Sequence, residues 1–397
     1  MLKGFKVRLL PTEEQEAKLW QNAGVARFAW NWGLAFQMNR FESGEKLLGE
    51  YALRAEFLKL KTQPEYAWLN DVSSKAPVFA LFDLMTAYKR FFRTQQQTGE
   101  KFTRQVREKA KRQKRKLTPY DMNGHPKFKK KFRCKPSFAQ PNERLYFSDG
   151  CAVLLKIGHV RVQTDRSFPQ GTGNGKYYNP RVSYDNGKWI LSFAMEVENQ
   201  DYELRDCSVG VDLGIKHLAV VSCDGTCVVH DNINKTRRMR RLKRQLKHAQ
   251  RSAARKAKRS KNRKKAFDRC AELQRRIAAI RHDYTHKTTR KIVDMLPKRI
   301  VIEDLNVSGM MKNRHLARAI AEQNFYKFRM QLEYKCAERG IELVVADRFF
   351  PSSKKCSRCG AIRKNLQLKD RTYVCPSCGL SIDRDYNAAL NLETYVA

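Results

Sequence analysis

The stretch that decides the fold is residues 208–230, SVGVDLGIKHLAVVSCDGTCVVH, which predicts three consecutive β-strands separated by turn residues. The first apolar run ends in Asp212, and Gly214 lets the backbone bend sharply just beyond it. Asp224-Gly225 predicts a tight turn between the second strand and the third. An aspartate after a buried strand is commonly a turn residue, so Asp212 needs partners before it indicates a site.

A second candidate carboxylate follows further along the chain. KRIVIEDLN at 298–306 is a β-branched run that predicts a strand, with Glu303 as its last inward-facing residue. Residues 316–339 predict a helix, and IELVVAD at 341–347 predicts another strand. This order of a strand meander, helices, strand, helix, strand and final helix resembles the ribonuclease H-like arrangement of a mixed sheet flanked by helices. Such a sheet would place Asp212 and Glu303 on neighbouring strands.

The final helix offers a third carboxylate. DRDYNAALNL at 383–392 begins with Asp383 and Asp385, and a carboxylate at this helix N-terminus could reach the ends of the two strands. Three clustered carboxylates repel one another unless a cation lies between them. Hard oxygen ligands suit Mg²⁺ or Mn²⁺, and two such ions roughly 3.5–4 Å apart can activate water and stabilise the leaving oxygen of a phosphodiester. A divalent-cation site with two catalytic ions is therefore predicted.

Four cysteines indicate a separate metal centre. Two C-x-x-C pairs are separated by 15 residues, and a glycine follows each pair: Cys356 and Cys359, then Cys375 and Cys378. This spacing is typical of a four-thiolate structural zinc site, and glycine-flanked pairs favour zinc over redox chemistry. All four ligands would be thiolates, so no coordination position stays open for catalysis. The other seven cysteines are interpreted as ordinary thiols of the core or surface.

The excess of basic residues indicates a polyanionic partner. The chain of 397 residues has 80 Lys and Arg against 40 Asp and Glu, a formal net charge of +40. Cations that neutralise phosphates release counterions, which favours binding to nucleic acid. A merely soluble surface is the alternative, but acidic residues would serve solubility equally well. No signal peptide and no apolar run of about 20 residues is found, so we expect no membrane partner and a cytoplasmic location.

The N-terminal half predicts helices and then strands. FKVRLL at 5–10 alternates as a half-buried strand does, and Thr12 and Gln15 are spaced as a capping box at a helix start. The pattern stays helical to about residue 120, and residues 127–205 predict strands.

Three smaller features lie within these ranges. The basic run REKAKRQKRK at 107–116 has no core-facing stripe and predicts a linker or a phosphate-contacting surface. Asp185-Asn186-Gly187 predicts a hairpin turn, and the glycine-rich residues 170–179 predict a plain loop rather than a phosphate cradle.

The most basic segment is 235–265, where 17 of 31 residues are Lys or Arg and none is acidic. A narrow apolar stripe runs through it and continues after a break near Ser260, which predicts two long helices packed together with cations on their other faces. The stripe residues are Met239, Leu242, Leu246, Ala249 and Ala253, then Phe267, Cys270, Leu273, Ile277 and Ile280. Disorder is the alternative for such a charged run, but the stripe opposes it.

Taken together, GVDLGIKHLAV, IVIEDLN, the two cysteine pairs and DRDYNAALN closely resemble the transposon-encoded TnpB family of RNA-guided DNA endonucleases, relatives of type V CRISPR effectors. ARFAWNWGL, AYKRFF and HDYTHKTTRKIV also resemble that family, so the resemblance covers nearly the whole chain. It implies a RuvC-like triad on the Asp of D-x-G, the Glu of the IED strand and the Asp preceding x-Asn. Those residues here are Asp212, Glu303 and Asp385, which leaves Asp383 as a helix cap or supporting residue.

The resemblance also implies a multidomain α+β fold. Its parts are a RuvC or ribonuclease H-like nuclease domain with a zinc-ribbon insertion, and an N-terminal wedge β-barrel interrupted by a helical recognition lobe. The expected boundaries are 1–10 and 119–205 for the wedge barrel, 11–118 for the recognition domain, 206–347 and 381–397 for the nuclease domain with a basic helical insertion at 235–290, and 348–380 for the zinc ribbon.

The resemblance implies two partners, a guide RNA derived from the transposon end and double-stranded target DNA, bound by a monomeric ribonucleoprotein. It also implies a prokaryotic, nucleoid-associated location. A short duplex motif beside the target would be read by the N-terminal half. Three alternatives stay open at this point. An RNA-guided DNA-binding regulator would lack cleavage, which an intact triad opposes. A transposase would act on the element ends. An actin-like ATPase would need a second glycine-rich phosphate hairpin, which we do not find.

Overall fold

The computed structural model describes residues 2–97, 101–131, 133–163, 177–185, 187–198, 200–367 and 370–396. These residues form two compact units, Met1–Glu198 and Asn199–Ala397, and each has its own sheet and core. The whole is a mixed α+β fold. No helix among the described residues is long and apolar enough to cross a membrane.

The N-terminal strand lies in the middle of the first unit's sheet. The strands of this sheet are β1 (Leu2–Leu10), β2 (Ser137–Ala139), β3 (Tyr146–Ser148), β4 (Cys151–Leu154), β5 (Gly158–Gln163), β6 (Tyr177–Asp185) and β7 (Lys188–Glu196). β1 pairs antiparallel with β7 on one side and with β5 on the other, in a seven-stranded order β2-β6-β7-β1-β5-β4-β3. The predicted strand texture after residue 127 is therefore confirmed. Asp185 pairs with Lys188 as the hairpin prediction requires, whereas Asn186 and most of the loop at 170–179 lie outside the described residues.

Helices occupy the chain between β1 and β2. They are α1 (Glu13–Glu42), α2 (Glu50–Lys61), α3 (Lys75–Gln97) and α4 (Arg104–Arg112). The capping box is confirmed, because the Thr12 hydroxyl accepts from the Gln15 amide and the Gln15 side chain accepts from the Thr12 amide. α1 packs on α3 at Gly33, where an added Cβ would lie 2.7 Å from a Leu81 methyl. The basic run after residue 107 begins inside α4, which buries Ala110.

The second unit contains the strand meander predicted from residues 208–230. β8 (Arg205–Leu213), β9 (His217–Cys223) and β10 (Thr226–Asp231) are antiparallel, and β8 then pairs in parallel with β11 (Pro297–Glu303), which pairs in parallel with β12 (Glu342–Ala346). The sheet order is β10-β9-β8-β11-β12. Asp224 and Gly225 form the predicted turn with φ of 50° and 72°. Gly214 lies in the reversal between β8 and β9 but is not among the residues with positive φ.

The basic segment folds as two packed helices, as predicted. α5 (Arg237–Arg255) and α6 (Lys261–Val293) bury Met239, Leu242, Leu273 and Ile277 between them. Ser260 ends the break by capping α6, since its hydroxyl accepts from the Arg263 amide. The prediction for Phe267 is wrong: its ring is 50% exposed and lies beside the Arg263 guanidinium.

The remaining elements are α7 (Val307–Met310), α8 (Ala317–Gln323), α9 (Phe325–Arg339), β13 (Thr372–Val374), β14 (Ser381–Asp383) and α10 (Arg384–Glu393). The single helix predicted over 316–339 is wrong in one respect, because Asn324 adopts φ of 60° and divides it into α8 and α9. Left-handed backbone at one residue ends a helix, and asparagine tolerates it better than most residues.

A buried lysine joins α9 to α6. Lys335 donates from Nζ to the His286 carbonyl at 2.9 Å and to the Thr289 hydroxyl at 2.7 Å. Burial, followed by the charges of Arg290 and Arg339, lowers the pKa of Lys335 to about 8.

Candidate active site and metal centre

Asp212 and Glu303 lie side by side at the ends of two parallel strands. Val211 on β8 is paired with Ile302 on β11, and each acidic residue comes directly after its member of that pair. Neighbouring strands are about 4.8 Å apart, and residues in register point to the same face. The structure therefore brings together the first two residues that the sequence predicted for the site.

α10 brings Asp385 towards the same strand ends. The helix packs directly on β8 at Gly210, where an added Cβ would lie 2.1 Å from the Ala389 carbonyl oxygen and 2.4 Å from the Glu393 amide nitrogen. Only glycine allows so close an approach of helix backbone to strand backbone. Asp385 lies in the first turn of this helix, and its negative charge acts on Asp212 and Glu303.

Asp383 is the N-cap of α10, as predicted. One of its carboxylate oxygens accepts from the backbone amides of Asp385, at 2.9 Å, and Tyr386, at 3.4 Å. Its other oxygen lies 3.4 Å from the Lys216 ammonium. Both oxygens of Asp383 thus have partners within the protein.

The electrostatics of this cluster favour a bound cation. Burial raises the pKa of Asp212 well above its ordinary value, and the charges of Glu303 and Asp385 raise it further. Burial also raises the pKa of Glu303. The hydrogen bond from the Ser352 hydroxyl and the charge of Arg384 lower this pKa and offset part of the effect of burial. Carboxylates that are crowded in this way are stabilised in their charged form by a cation, and hard oxygen donors suit Mg²⁺ or Mn²⁺. The donor set therefore fits the predicted ion type.

Asp304 is engaged elsewhere. Its carboxylate accepts from Arg329 at 3.3 Å and from Arg348, so it is paired with two guanidinium groups. The acidic residue that follows Glu303 is accordingly part of an ion-pair network and lies outside the carboxylate cluster.

The four predicted zinc ligands converge. Their Sγ atoms all lie within 4.8 Å of one another, with Cys356 to Cys378 at 3.6 Å and Cys359 to Cys375 at 3.5 Å. A tetrahedral zinc with Zn–S bonds of about 2.3 Å requires sulfur atoms roughly 3.8 Å apart, so the spacing fits.

The local backbone explains this convergence. The glycines after the two pairs, Gly360 and Gly379, have φ of 76° and 67°, and each turns the chain back on the pair that precedes it. The Cys378 amide donates to Cys375 Sγ, and this hydrogen bond is the main cause that lowers the pKa of Cys375 to about 6. The local backbone therefore positions both cysteine pairs for one shared metal ion.

Polar side chains of α10 connect the four-cysteine group to the carboxylate cluster. Asn387 and Asn391 are buried and both donate to the Lys355 carbonyl, at 2.6 and 2.7 Å. Ser352, in the same segment before Cys356, donates its hydroxyl to Glu303 Oε1. These three residues and Gly210 were not predicted from the sequence. Two asparagines spaced i, i+4 on the apolar face of NAALN are the signal that could have found part of this network.

A cluster of two cysteines and one aspartate was also not predicted from the sequence. Cys207 and Cys223 have sulfur atoms 3.9 Å apart, and a carboxylate oxygen of Asp224 lies beside them. Burial raises the pKa of Cys223 to about 12, and the Arg205 guanidinium holds Asp224 at 2.7 Å. Among the described residues, two groups of three or more His, Cys, Asp or Glu side chains have all their ligand atoms within 4.8 Å of one another: this trio and the four cysteines of the two C-x-x-C pairs. The carboxylate oxygens of Asp212, Glu303 and Asp385 are therefore farther apart than 4.8 Å in at least one pair.

Three parts of the chain match known protein families. Residues 192–314 match a family described as "Probable transposase", and residues 325–392 match "Cas12f1-like, TNB domain". Residues 1–46 match "Helix-turn-helix domain", although in this chain that range holds β1 and the single long helix α1.

Relatives match over nearly the full length. A "Putative RNA-guided DNA endonuclease" of Streptomyces pristinaespiralis is 33% identical over 392 residues, which cover 98% of this chain and 88% of the relative. "Putative RNA-guided DNA endonuclease InsQ" of Escherichia coli K12 is 31% identical over 408 residues, which cover 98% of this chain and 91% of the relative. The solved structure "Cryo-EM structure of CasPhi-2 (Cas12j) bound to crRNA" has a similar fold, with a TM-score of 0.50, 9% identity and coverage of 99% and 97%.

The full-length matches define the class as one whose members are named putative RNA-guided DNA endonucleases. Within that class the chain belongs to the TnpB family, as its motifs predicted.

Proposed function

We propose that the protein is a transposon-encoded, RNA-guided DNA endonuclease that hydrolyses phosphodiesters at a RuvC-like site formed by Asp212, Glu303 and Asp385. One observation carries the proposal: in a chain of net charge +40, Asp212 and Glu303 lie at the ends of two paired strands, and α10, which packs on β8 at Gly210, begins with Asp385. The sheet places β8 beside β11, as the predicted ribonuclease H-like arrangement requires for Asp212 and Glu303 to lie on neighbouring strands, and this supports the assignment.

The three carboxylates would hold two Mg²⁺ or Mn²⁺ ions. When bound, the ions would supply an activated water molecule and stabilise the leaving oxygen of the phosphodiester. The protein groups around them have separate tasks. Arg384 acts on Asp212 and Glu303 with the opposite charge and reduces their repulsion. Asp383 caps α10 and thereby holds Asp385 at the helix start.

The four cysteines would hold one structural Zn²⁺. All four ligands are thiolates, so this ion would have no open coordination position for water. Its contribution is to fold the segment around β13 and β14, where Tyr373 is fully buried and donates to the Lys354 carbonyl at 3.2 Å.

Guide RNA and double-stranded target DNA would be the partners of a monomeric ribonucleoprotein. The cationic faces of α5 and α6 are exposed and supply phosphate contacts, whereas base pairing with the guide supplies sequence selection. The pairing of β1 with β5 and β7 supports a wedge domain made of 1–10 and 119–205, with the helices of 11–118 as the recognition domain. In the remainder of the chain, the proposed nuclease domain comprises 206–347 and 381–397, and the proposed zinc ribbon comprises 348–380. The proposed location of the protein is the prokaryotic cytoplasm.

The test is to purify the full chain with its copurifying RNA, sequence that RNA, and incubate the complex with a target plasmid and Mg²⁺. Cleavage that requires both the RNA and the metal is expected. Binding without cleavage would instead identify a guided regulator, and strand joining at element ends would identify a transposase.

A further inference from the structure

Hydrogen bonds hold both the backbone amide and the backbone carbonyl of Ser352. It is 4% exposed, its amide donates to the Phe350 carbonyl at 2.8 Å, and its carbonyl accepts from the Asn391 side chain at 2.7 Å. With its backbone held in this way, the Ser352 hydroxyl is directed at Glu303 Oε1. One oxygen of the candidate catalytic glutamate therefore has a fixed donor, which limits rotation of the carboxylate.

The same segment leads directly into the zinc centre. Lys355, the residue before Cys356, has its carbonyl held by both Asn387 and Asn391. Asn387 also accepts from the Ser357 amide at 3.0 Å, just beyond Cys356. The first cysteine pair is thus joined through buried amides to α10, the helix that begins with Asp385.

These contacts form one connected network in a buried region. Asn387 and Asn391 are 0% and 2% exposed, and a buried amide that loses its partner is destabilising. Movement of the first cysteine pair would therefore disturb the Asn387 and Asn391 contacts, and through them the position of Ser352. The network also bears on two of the three candidate metal-binding carboxylates, Glu303 by direct contact and Asp385 through its helix.

We propose that Ser352 is a positioning residue that orients Glu303 for divalent-cation binding, and that zinc occupancy at the four cysteines sustains this orientation. The two metal centres are then coupled: loss of zinc weakens cation binding at the carboxylates. This inference rests on the proposed function, in which Glu303 binds the catalytic metal. Partners that orient a metal ligand typically contribute 10–100-fold to metal affinity.

The test uses the zinc-loaded full-length protein and measures Mn²⁺ affinity by calorimetry, apart from any cleavage assay. Asp385→Asn defines the binding that does not involve the carboxylate site. After this background is subtracted, Ser352→Ala should weaken Mn²⁺ binding at the carboxylate site about 10-fold. It should raise by a similar factor the Mg²⁺ concentration needed for half-maximal cleavage. Ser352→Thr, which keeps the hydroxyl, should restore both, and Ser357→Ala is the matched control in the same segment because only its backbone is used.

Wild-type Mn²⁺ affinity in Ser352→Ala would overturn the inference while leaving the proposed function intact. Should Ser352→Ala fail to fold, Asn391→Ala removes the donor that holds the Ser352 carbonyl and leaves all four cysteines in place, and unchanged Mn²⁺ affinity in that variant would overturn the inference. Cys375→Ser tests the zinc coupling at a temperature where its circular dichroism matches that of wild type, and unchanged Mn²⁺ affinity there would overturn the coupling. Failure of the proposed function looks different, since wild type would then not cleave, or Asp385→Asn would bind Mn²⁺ and cleave as wild type does.

Discussion

Replacing Gly210 with alanine should separate α10 from β8 and impair both stability and cleavage. The new Cβ would lie 2.1 Å from the Ala389 carbonyl oxygen, against 3.4 Å for the start of ordinary contact. The obstructing atoms belong to the helix backbone, so no side-chain rotation can relieve the clash, and the helix must move by about 1 Å. Overpacking of this kind costs about 1–3 kcal/mol. The same shift at Asp385 would lower the cleavage rate by about 100-fold.

Gly4→Ala is the matched control, because Gly4 is also a strand glycine without positive φ and an added Cβ there meets nothing within 4 Å. Removing a glycine from an open site should change stability by less than about 1 kcal/mol. Urea unfolding measures the stabilities, and plasmid cleavage well below the melting temperature measures the activities. If Gly210→Ala matches Gly4→Ala in both assays, the close packing of α10 on β8 is not what positions the site.

Three other predictions concern the zinc centre, the basic helices and the buried lysine. Cys375→Ser should lower zinc content and stability together, because structural zinc contributes on the order of 10 kcal/mol to folding; full stability in a variant shown by metal analysis to be zinc-free would contradict it. Neutralising the exposed Arg251, Arg255 and Arg259 should weaken binding to all nucleic acids alike. In a plot of log affinity against log salt concentration on duplex DNA, the slope should flatten by about 0.9 for each lost phosphate contact. An unchanged slope would mean that these arginines contact no phosphate. Because the folded-state pKa of Lys335 is lowered to about 8, the unfolded chain binds more protons than the folded chain between about pH 8 and 10.4. The free energy of unfolding of wild type relative to Lys335→Met should therefore rise over this range, by at most about 3 kcal/mol. Parallel stability curves in urea unfolding at each pH would count against that assignment.

The features that local chemistry determines could be predicted from the sequence. The Thr12 capping box, the Asp224-Gly225 turn and the Asp383 cap each depend on residues only a few positions apart, and all three are present. The grouping of the four cysteines was equally predictable, because two glycine-flanked cysteine pairs at this spacing are typical of a metal site.

The features that were missed depend on contacts between distant segments. Gly210 looks like any strand glycine until a helix from the chain's end packs on it, and Ser352 looks like a loop serine until Glu303 lies beside it. Phe267 matched the apolar stripe of its helix, yet its ring lies at the surface beside Arg263. Helical periodicity predicts which face of a helix a side chain lies on, but it does not predict whether the partner helix covers that face at each position. The catalytic roles of Asp212, Glu303 and Asp385 stay predictions that only experiment can test.

The most direct measurement compares Asp385→Asn with Asp383→Asn in plasmid cleavage with Mg²⁺, beside a binding assay for the guided complex. Asp385→Asn keeps the size of the side chain and removes the charge that would hold metal, so it should abolish cleavage and leave guided DNA binding nearly intact, because binding depends on the basic surfaces and on base pairing. Asp383→Asn should keep substantial cleavage, since asparagine also caps helices and the loss is about 1 kcal/mol or less. An active Asp385→Asn beside an inactive Asp383→Asn would show that the wrong aspartate was chosen, and normal cleavage by both would contradict the three-carboxylate site.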